Sequence, residues 1–189
     1  MSTPSPVTGF VLAGGESSRM GRDKAALKWK GQSLLHQMTG LLKAVCDSVH
    51  VVGRADLPDH HPGLGPIGGI ATALHATTTA HNLVVAVDLP LLTMDFLKYF
   101  TVRYTQSNRH LCACKIESGF PLCLGIDQSL TPSIDDYLKG RERSVHGFMR
   151  ETAGEIITAA ELIEAGFSTE MFFNLNTEAD YQQLNRDNS

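Results

Sequence analysis

At 189 residues, with 42% hydrophobic and 19% charged side chains, the chain is long enough to bury a substantial core without cross-links. A net charge of −4 excludes an overall electrostatic partnership with nucleic acid or anionic lipid, so any anion site has to be local. No apolar run approaches the roughly 20 residues that span a bilayer, and the opening MSTPSPVTGF offers neither the basic segment nor the apolar stretch of a signal peptide.

Residues 1–6 read as a disordered tail, and 7–189 as one domain. Val7–Ala13 predicts a buried strand that ends in glycines. Leu34, Met38, Leu41 and Val45 recur at helical spacing, Ser48–Val52 is a second strand, and a polar loop follows from Gly53 to Pro66. Ile67, Ile70, Ala71 and Leu74 mark the next helix, with Pro66 in its first turn, where the missing N–H costs nothing. Asn82–Asp88, NLVVAVD, is a continuous β-branched run of the kind buried on both faces, and Thr93 is placed to cap a helix carrying Leu97, Phe100 and Tyr104. This alternation indicates βαβ units and a mostly parallel central sheet flanked by helices, an α/β fold.

The second half is less regular. HLCACKI and FPLCLGI predict two strands joined around Glu117–Gly119, with Pro121 marking the second as an edge or locally irregular strand. Helices follow around Ile134–Leu138 and Val145–Met149, and Thr177–Asp180 (TEAD) resembles a capping box that opens a last helix through Leu184. Cys46, Cys112, Cys114 and Cys123 form no CxxC pair and no zinc spacing, which predicts reduced, buried thiols and a cytoplasmic protein.

The chemistry concentrates in LAGGESSRMGRDK, Leu12–Lys24. Glycines at the carboxyl end of a parallel strand let backbone N–H groups turn toward phosphate oxygens. Ser17 and Ser18 add donors, and Arg19, Arg22, Lys24, Lys28 and Lys30 stand against a single acid, Asp23. That local reversal in an acidic chain points to an anion of several charges. The glycine spacing is not that of a Walker A loop. GLGPIG, Gly63–Gly68, formally matches G-x-G-x-x-G with Asp88 downstream, which raises a nicotinamide-dependent enzyme as a rival, but no strand runs into Gly63. Asp88, at the end of the central strand, suits Mg²⁺ held by one carboxylate and substrate phosphates; its structural alternative is a solvated cap of the turn before Pro90. His60 and His61 read as a solvated loop pair. No G-x-S-x-G elbow and no Cys/His nucleophile pair is present, which fits direct attack of one bound substrate on another.

Together these stretches resemble the molybdenum cofactor guanylyltransferases, within the Rossmann-like nucleotidyltransferases. LAGGESSRMGRDKA is similar to the class's signature loop, GPIGGI to its second loop with DHHPG before it, and VAVDLP to its metal-binding strand end. RERSVHGFMRE and FFNLNTEADY, with its N-x-N-T, are similar to the family's later segments. The resemblance implies that Leu12, Ala13, Gly14, Gly15 and Lys24 bind the nucleotide and that Arg19 neutralises the triphosphate. It further implies that Asp59 contacts the nucleotide, Asp88 ligates Mg²⁺, and Asn174 and Asn176 face the pterin. Arg19, Lys24 and Asp88 would carry the catalysis.

It divides the domain into a nucleotide-binding half, about 7–105, and a pterin half, about 106–189. The implied reaction joins GMP from GTP to the terminal phosphate of molybdenum-bound molybdopterin, with pyrophosphate leaving. A phosphate monoester with a second pKa of about 6 is already mostly dianionic at neutral pH and needs no general base. The implied partners are GTP and the pterin, handed over by the molybdenum-insertion enzyme, with no nucleic acid and no membrane; a monomer is expected, with at most weak self-association. Where the family often carries an asparagine this chain has VVGRAD around Gly53, which leaves cytidylyl transfer to the same pterin open. A non-catalytic nucleotide-binding protein of the pathway is the remaining alternative.

Overall fold

The computed structural model describes residues 5–14 and 23–186. Among the described residues the strands are β1 (Val7–Leu12), β2 (Lys28–Trp29), β3 (Gln32–Ser33), β4 (Ser48–Val52), β5 (His81–Ala86), β6 (Leu111–Lys115), β7 (Cys123–Asp127) and β8 (Glu155–Thr158). The helices are α1 (Leu34–Lys43), α2 (Pro66–Ala76), α3 (Met94–Gln106), α4 (Thr131–Lys139), α5 (Val145–Glu151), α6 (Ala159–Glu164) and α7 (Glu178–Arg186).

Six strands make the central sheet in the order β4-β1-β5-β7-β6-β8, while β2 and β3 form a separate small hairpin. β4, β1 and β5 run parallel, β7 is reversed between β5 and β6, and β8 returns parallel to β6. The sheet is therefore mostly parallel, as the sequence predicts. Of the two expectations for the strand at Pro121, the local irregularity is observed and the edge position is not. β7 is interior rather than an edge, because Pro121 stands before the ladder, in an irregular stretch where the Cys123 N–H donates to the Pro121 carbonyl at 2.8 Å.

Alternation along each strand sends side chains to two cores. Val7 and Val11 of β1, with Leu83 and Val85 of β5, pack against Leu34, Met38 and Leu42 of α1 and Phe96, Leu97, Phe100 and Tyr104 of α3. Phe10, Leu12 and Val84 face the opposite way, onto Ile67, Ile70 and Leu74 of α2, Ile134 and Leu138 of α4, and Phe148 of α5. Leu42, rather than Leu41, completes the buried stripe of α1, since it lies one turn after Met38. Thr93 caps α3 as expected, accepting from the Phe96 N–H at 3.2 Å. The four cysteines are free; Cys112, Cys114 and Cys123 are buried in the first core. The β2–β3 hairpin, β8 and α6 had no clear periodicity to announce them.

Candidate active site

Parallel strands deliver their carboxyl ends to one edge of the sheet, and of the described candidates Leu12, Ala13, Gly14, Lys24, Asp88 and Asn176 gather there. β1 continues straight into Ala13 and Gly14, with the Ala13 N–H donating to the Val52 carbonyl at 3.0 Å and the Val87 N–H to the Leu12 carbonyl at 3.1 Å. This pins the end of β1 between those of β4 and β5. The turn is tight on the β4 side. Gly53 has φ of 85°, and a Cβ there would stand 2.3 Å from the Gly14 Cα. Only glycine fits there.

Lys24 begins a short 3₁₀ turn, Lys24–Ala26, capped by Asp23. Its ammonium lies 3.0 Å from Asp88 Oδ2 and 3.0 Å from Asn176 Oδ1. The Lys24 and Asp88 side chains are only 21% and 17% exposed, so the pair is partly shielded from water and screening. Asp88 lies two residues past β5, and its carbonyl accepts from the Leu175 N–H at 2.9 Å, which lays the N-x-N-T segment alongside. Asn176, expected on the pterin side, thus touches the cation of the glycine turn, whereas Asn174 is exposed with no contact to Lys24 or Asp88 among those described.

Asp59 is used within its own loop. Its Oδ1 accepts from the His61 N–H at 2.8 Å and lies 3.1 Å from the Thr72 hydroxyl of α2. The rival dinucleotide fingerprint lacks its strand: β4 ends at Val52, well before Gly63, and the loop turns through left-handed glycines at 63 and 65. Gly15, Arg19 and the serines between them lie outside the described residues.

One residue that sequence reasoning passed over is Arg54. Its Nη2 donates to Asp23 Oδ1 at 2.7 Å, joining the end of β4 to the segment that presents Lys24. That hydrogen bond, with the Ala25 N–H, holds the Asp23 carboxyl below its ordinary pKa against the opposing effect of burial. The signal available in the sequence was the lone acid among five cations. On the same sheet edge, the β6–β7 turn meets the RERSVHGFMRE segment, where the Phe120 N–H lies 3.3 Å from His146 Nε2. A cavity of about 600 Å³ between α4 and α5, lined by Tyr137, Arg141, Glu142 and Phe148 among others, includes none of the candidate residues.

No group of three or more His, Cys, Asp or Glu side chains able to hold a metal occurs among the described residues. Asp88 alone cannot cage a cation, but one strand-end carboxylate suits a divalent ion that arrives with its own phosphate ligands.

Strand ends that bring a lysine, a carboxylate and an asparagine to a glycine turn suit a polyphosphate, and the sheet with its one reversed strand is that of the Rossmann-like nucleotidyltransferases. Comparison with known proteins narrows the class. The chain belongs to the family of the MobA-like NTP transferase domain, whose model matches residues 9–155. It is 34% identical to the molybdenum cofactor guanylyltransferase of Xanthomonas euvesicatoria pv. vesicatoria, covering 100% of this chain and 99% of that one. Its fold is similar to the molybdopterin-guanine dinucleotide biosynthesis protein A of Archaeoglobus fulgidus, with TM-score 0.81, 20% identity and 95% and 97% of the two chains covered. It also resembles a Mycobacterium tuberculosis protein solved in complex with manganese, at TM-score 0.64 and 15% identity over 95% and 98% of the chains. The chain is a nucleotidyltransferase. No described helix is long and apolar enough to cross a membrane.

Proposed function

We propose that the protein transfers GMP from GTP to the terminal phosphate of molybdenum-bound molybdopterin, releasing pyrophosphate and forming the guanine dinucleotide cofactor. The observation that carries this reading is the Lys24–Asp88–Asn176 cluster, which joins the end of the glycine turn to the N-x-N-T segment on a chain 34% identical end to end to a guanylyltransferase.

Two anions have to meet while a third leaves, so charge neutralisation and positioning carry the reaction. Leu12 and Ala13 end the strand, with the Ala13 N–H already held by the Val52 carbonyl, and carry the chain into Gly14 and Gly15, where the triphosphate would be met. Lys24 has three ammonium donors; two meet Asp88 and Asn176, and the third serves a phosphate oxygen. Arg19 adds a fixed positive charge to the leaving pyrophosphate. Asp88 would hold Mg²⁺, which would supply positive charge to the phosphates. Asp59 orders the loop ahead of α2 over the nucleotide half, about 7–105, while the pterin docks on the half from about 106 to 189 with Asn174 at its margin. The acceptor phosphate, mostly dianionic at neutral pH, attacks without a base. The unpaired cysteines, three of them buried, fit a reducing, cytoplasmic setting; handover of the pterin by the molybdenum-insertion enzyme follows from the family reading alone.

Ligand-dependent melting tests the nucleotide assignment. A nucleotide at 100 times its Kd stabilises the fold by about 2.7 kcal/mol, a rise of roughly 5–10 °C for a chain of this size. GTP with Mg²⁺ should raise Tm more than CTP, ATP or NADH. A larger shift with CTP would exchange guanylyl for cytidylyl transfer, and a shift with NADH alone would overturn the class of reaction.

A further inference from the structure

The segment Leu175–Tyr181 is tied down more firmly than a helix start requires. A capping box needs its first residue to accept from the fourth and the fourth to accept in return. Here the Asp180 N–H donates to Thr177 Oγ1 at 3.1 Å, and the Thr177 N–H donates to Asp180 Oδ2 at 2.7 Å. One bond lies beyond that motif. The Asn176 N–H, one residue outside the box, also donates to Asp180 Oδ2, at 2.9 Å. On one side the Leu175 N–H donates to the Asp88 carbonyl at 2.9 Å. On the other, the Tyr181 hydroxyl donates to the Lys28 carbonyl at 2.7 Å, seating α7 on the segment that follows Lys24. Asn176 is therefore fixed before, at and after its own position, and its Oδ1 accepts from Lys24.

We infer that Asp180 and Asn176 are positioning residues for Lys24: Asp180 fixes Asn176, and Asn176 holds the ammonium against Asp88 with one N–H directed to phosphate. A lysine stem has many rotamers to lose on binding an anion, and two fixed acceptors take that loss before the ligand arrives. Burial acts to raise the Asp180 pKa, but the Asn176 and Thr177 N–H donors, the Thr177 hydroxyl and the charge of Lys24 hold it below the ordinary carboxylate value. The consequence is that the cation of the nucleotide half depends on a helix of the acceptor half. The inference rests on the nucleotide-transfer reading and adds a role for α7 to it.

The test compares Asn176→Ala and Asp180→Asn, alone, together and in a Lys24→Ala background, by calorimetry of Mg·GTP binding, by kcat and KM for pyrophosphate release, and by Tm. Each single change should raise the Mg·GTP Kd roughly 3- to 10-fold, the size of one hydrogen bond. The pair should be no worse than Asn176→Ala alone, and neither should matter once Lys24 is alanine. Asp180→Glu, which rebuilds a capping box, keeps the comparison possible if Asp180→Asn unfolds the helix. Multiplying effects in the double variant, or a lowered Tm with an unchanged Kd, would overturn the positioning role while leaving nucleotide transfer standing. The same coupling found with Mg·CTP in place of Mg·GTP supports the positioning role and removes only the guanine assignment. A wild-type protein that binds no nucleoside triphosphate overturns both.

Discussion

Asp88→Asn separates a metal carboxylate from a capping one. The substitution keeps the shape of the side chain, and its amide oxygen remains able to accept from Lys24, which now stands 3.0 Å from Asp88 Oδ2. What is lost structurally is one of the two charges of a partly buried hydrogen bond, a part of the about 1.5–3 kcal/mol that such bonds contribute, since Lys24 stays charged. Stability should therefore fall by roughly 1 kcal/mol, or about 2–4 °C in Tm. The Leu175 N–H bond to the Asp88 carbonyl is a backbone contact and survives. Transfer should suffer far more. The described residues offer no other acidic cluster to replace it, and a metal's several kcal/mol of charge stabilisation corresponds to a loss of at least about 10²-fold. GTP binding without Mg²⁺ should persist or tighten, because a carboxylate beside phosphates repels them. Pyrophosphate release over a Mg²⁺ titration, with calorimetry of GTP with and without the ion, reads both effects. Activity within a few fold of wild type would refute the metal assignment and leave Asp88 a capping residue.

Lys24→Ala should lower kcat/KM for GTP by roughly 10- to 150-fold, the value of one charge-assisted contact, with the fold retained by circular dichroism; near-normal turnover would remove Lys24 from the phosphate site. Gly53→Ala should cost about 2–4 kcal/mol, because its Cβ would stand 2.3 Å from the Gly14 Cα at a φ of 85°. Gly63→Ala, at φ of 83° with nothing within 4 Å, should cost only the backbone term of about 1 kcal/mol, so equal losses in urea melts would contradict the close approach. Asp23, Glu161 and Asp180 all have pKa values lowered by folding, so the unfolded chain binds more protons as pH drops. Their contribution should be level from pH 7 to 5 and lost below about pH 4, and Arg54→Gln should flatten that acid limb; an unchanged limb would show that Arg54 does not hold Asp23. Burial pushes the Cys46 and Cys112 thiols up to about 12, so alkylation at pH 8 should be slow until the protein unfolds.

The nucleotide half of the fold was legible because its signals are strong and local. NLVVAVD is a β-branched run with no polar interruption, Pro66 and Thr93 mark helix starts by their own chemistry, and the glycine turn advertises itself by composition. What the sequence withheld depends on pairings far apart in the chain. β8 and α6 are short, and β8 is placed by its ladder with β6 and by Glu155 accepting from Arg103 of α3, which periodicity does not carry. Pro121 signals an edge or an irregular strand without deciding between them; the irregular stretch is there, and the β7 ladder begins two residues later in the sheet interior. In the site, Lys24 and Asp88 each carried a recognisable role, but the bridge from Asn176 to Lys24 spans most of the chain, and no spacing rule reaches that far.

The central claim is a transfer between two bound substrates, and the product tests it most directly. The protein should be incubated with molybdenum-loaded molybdopterin, Mg²⁺ and GTP or CTP in turn, and the pterin species identified by mass. The account predicts a guanine dinucleotide with one pyrophosphate released per molecule formed, and markedly less product from CTP. A cytosine dinucleotide as the main product would contradict the guanine assignment, and unchanged pterin with either nucleotide would contradict catalysis.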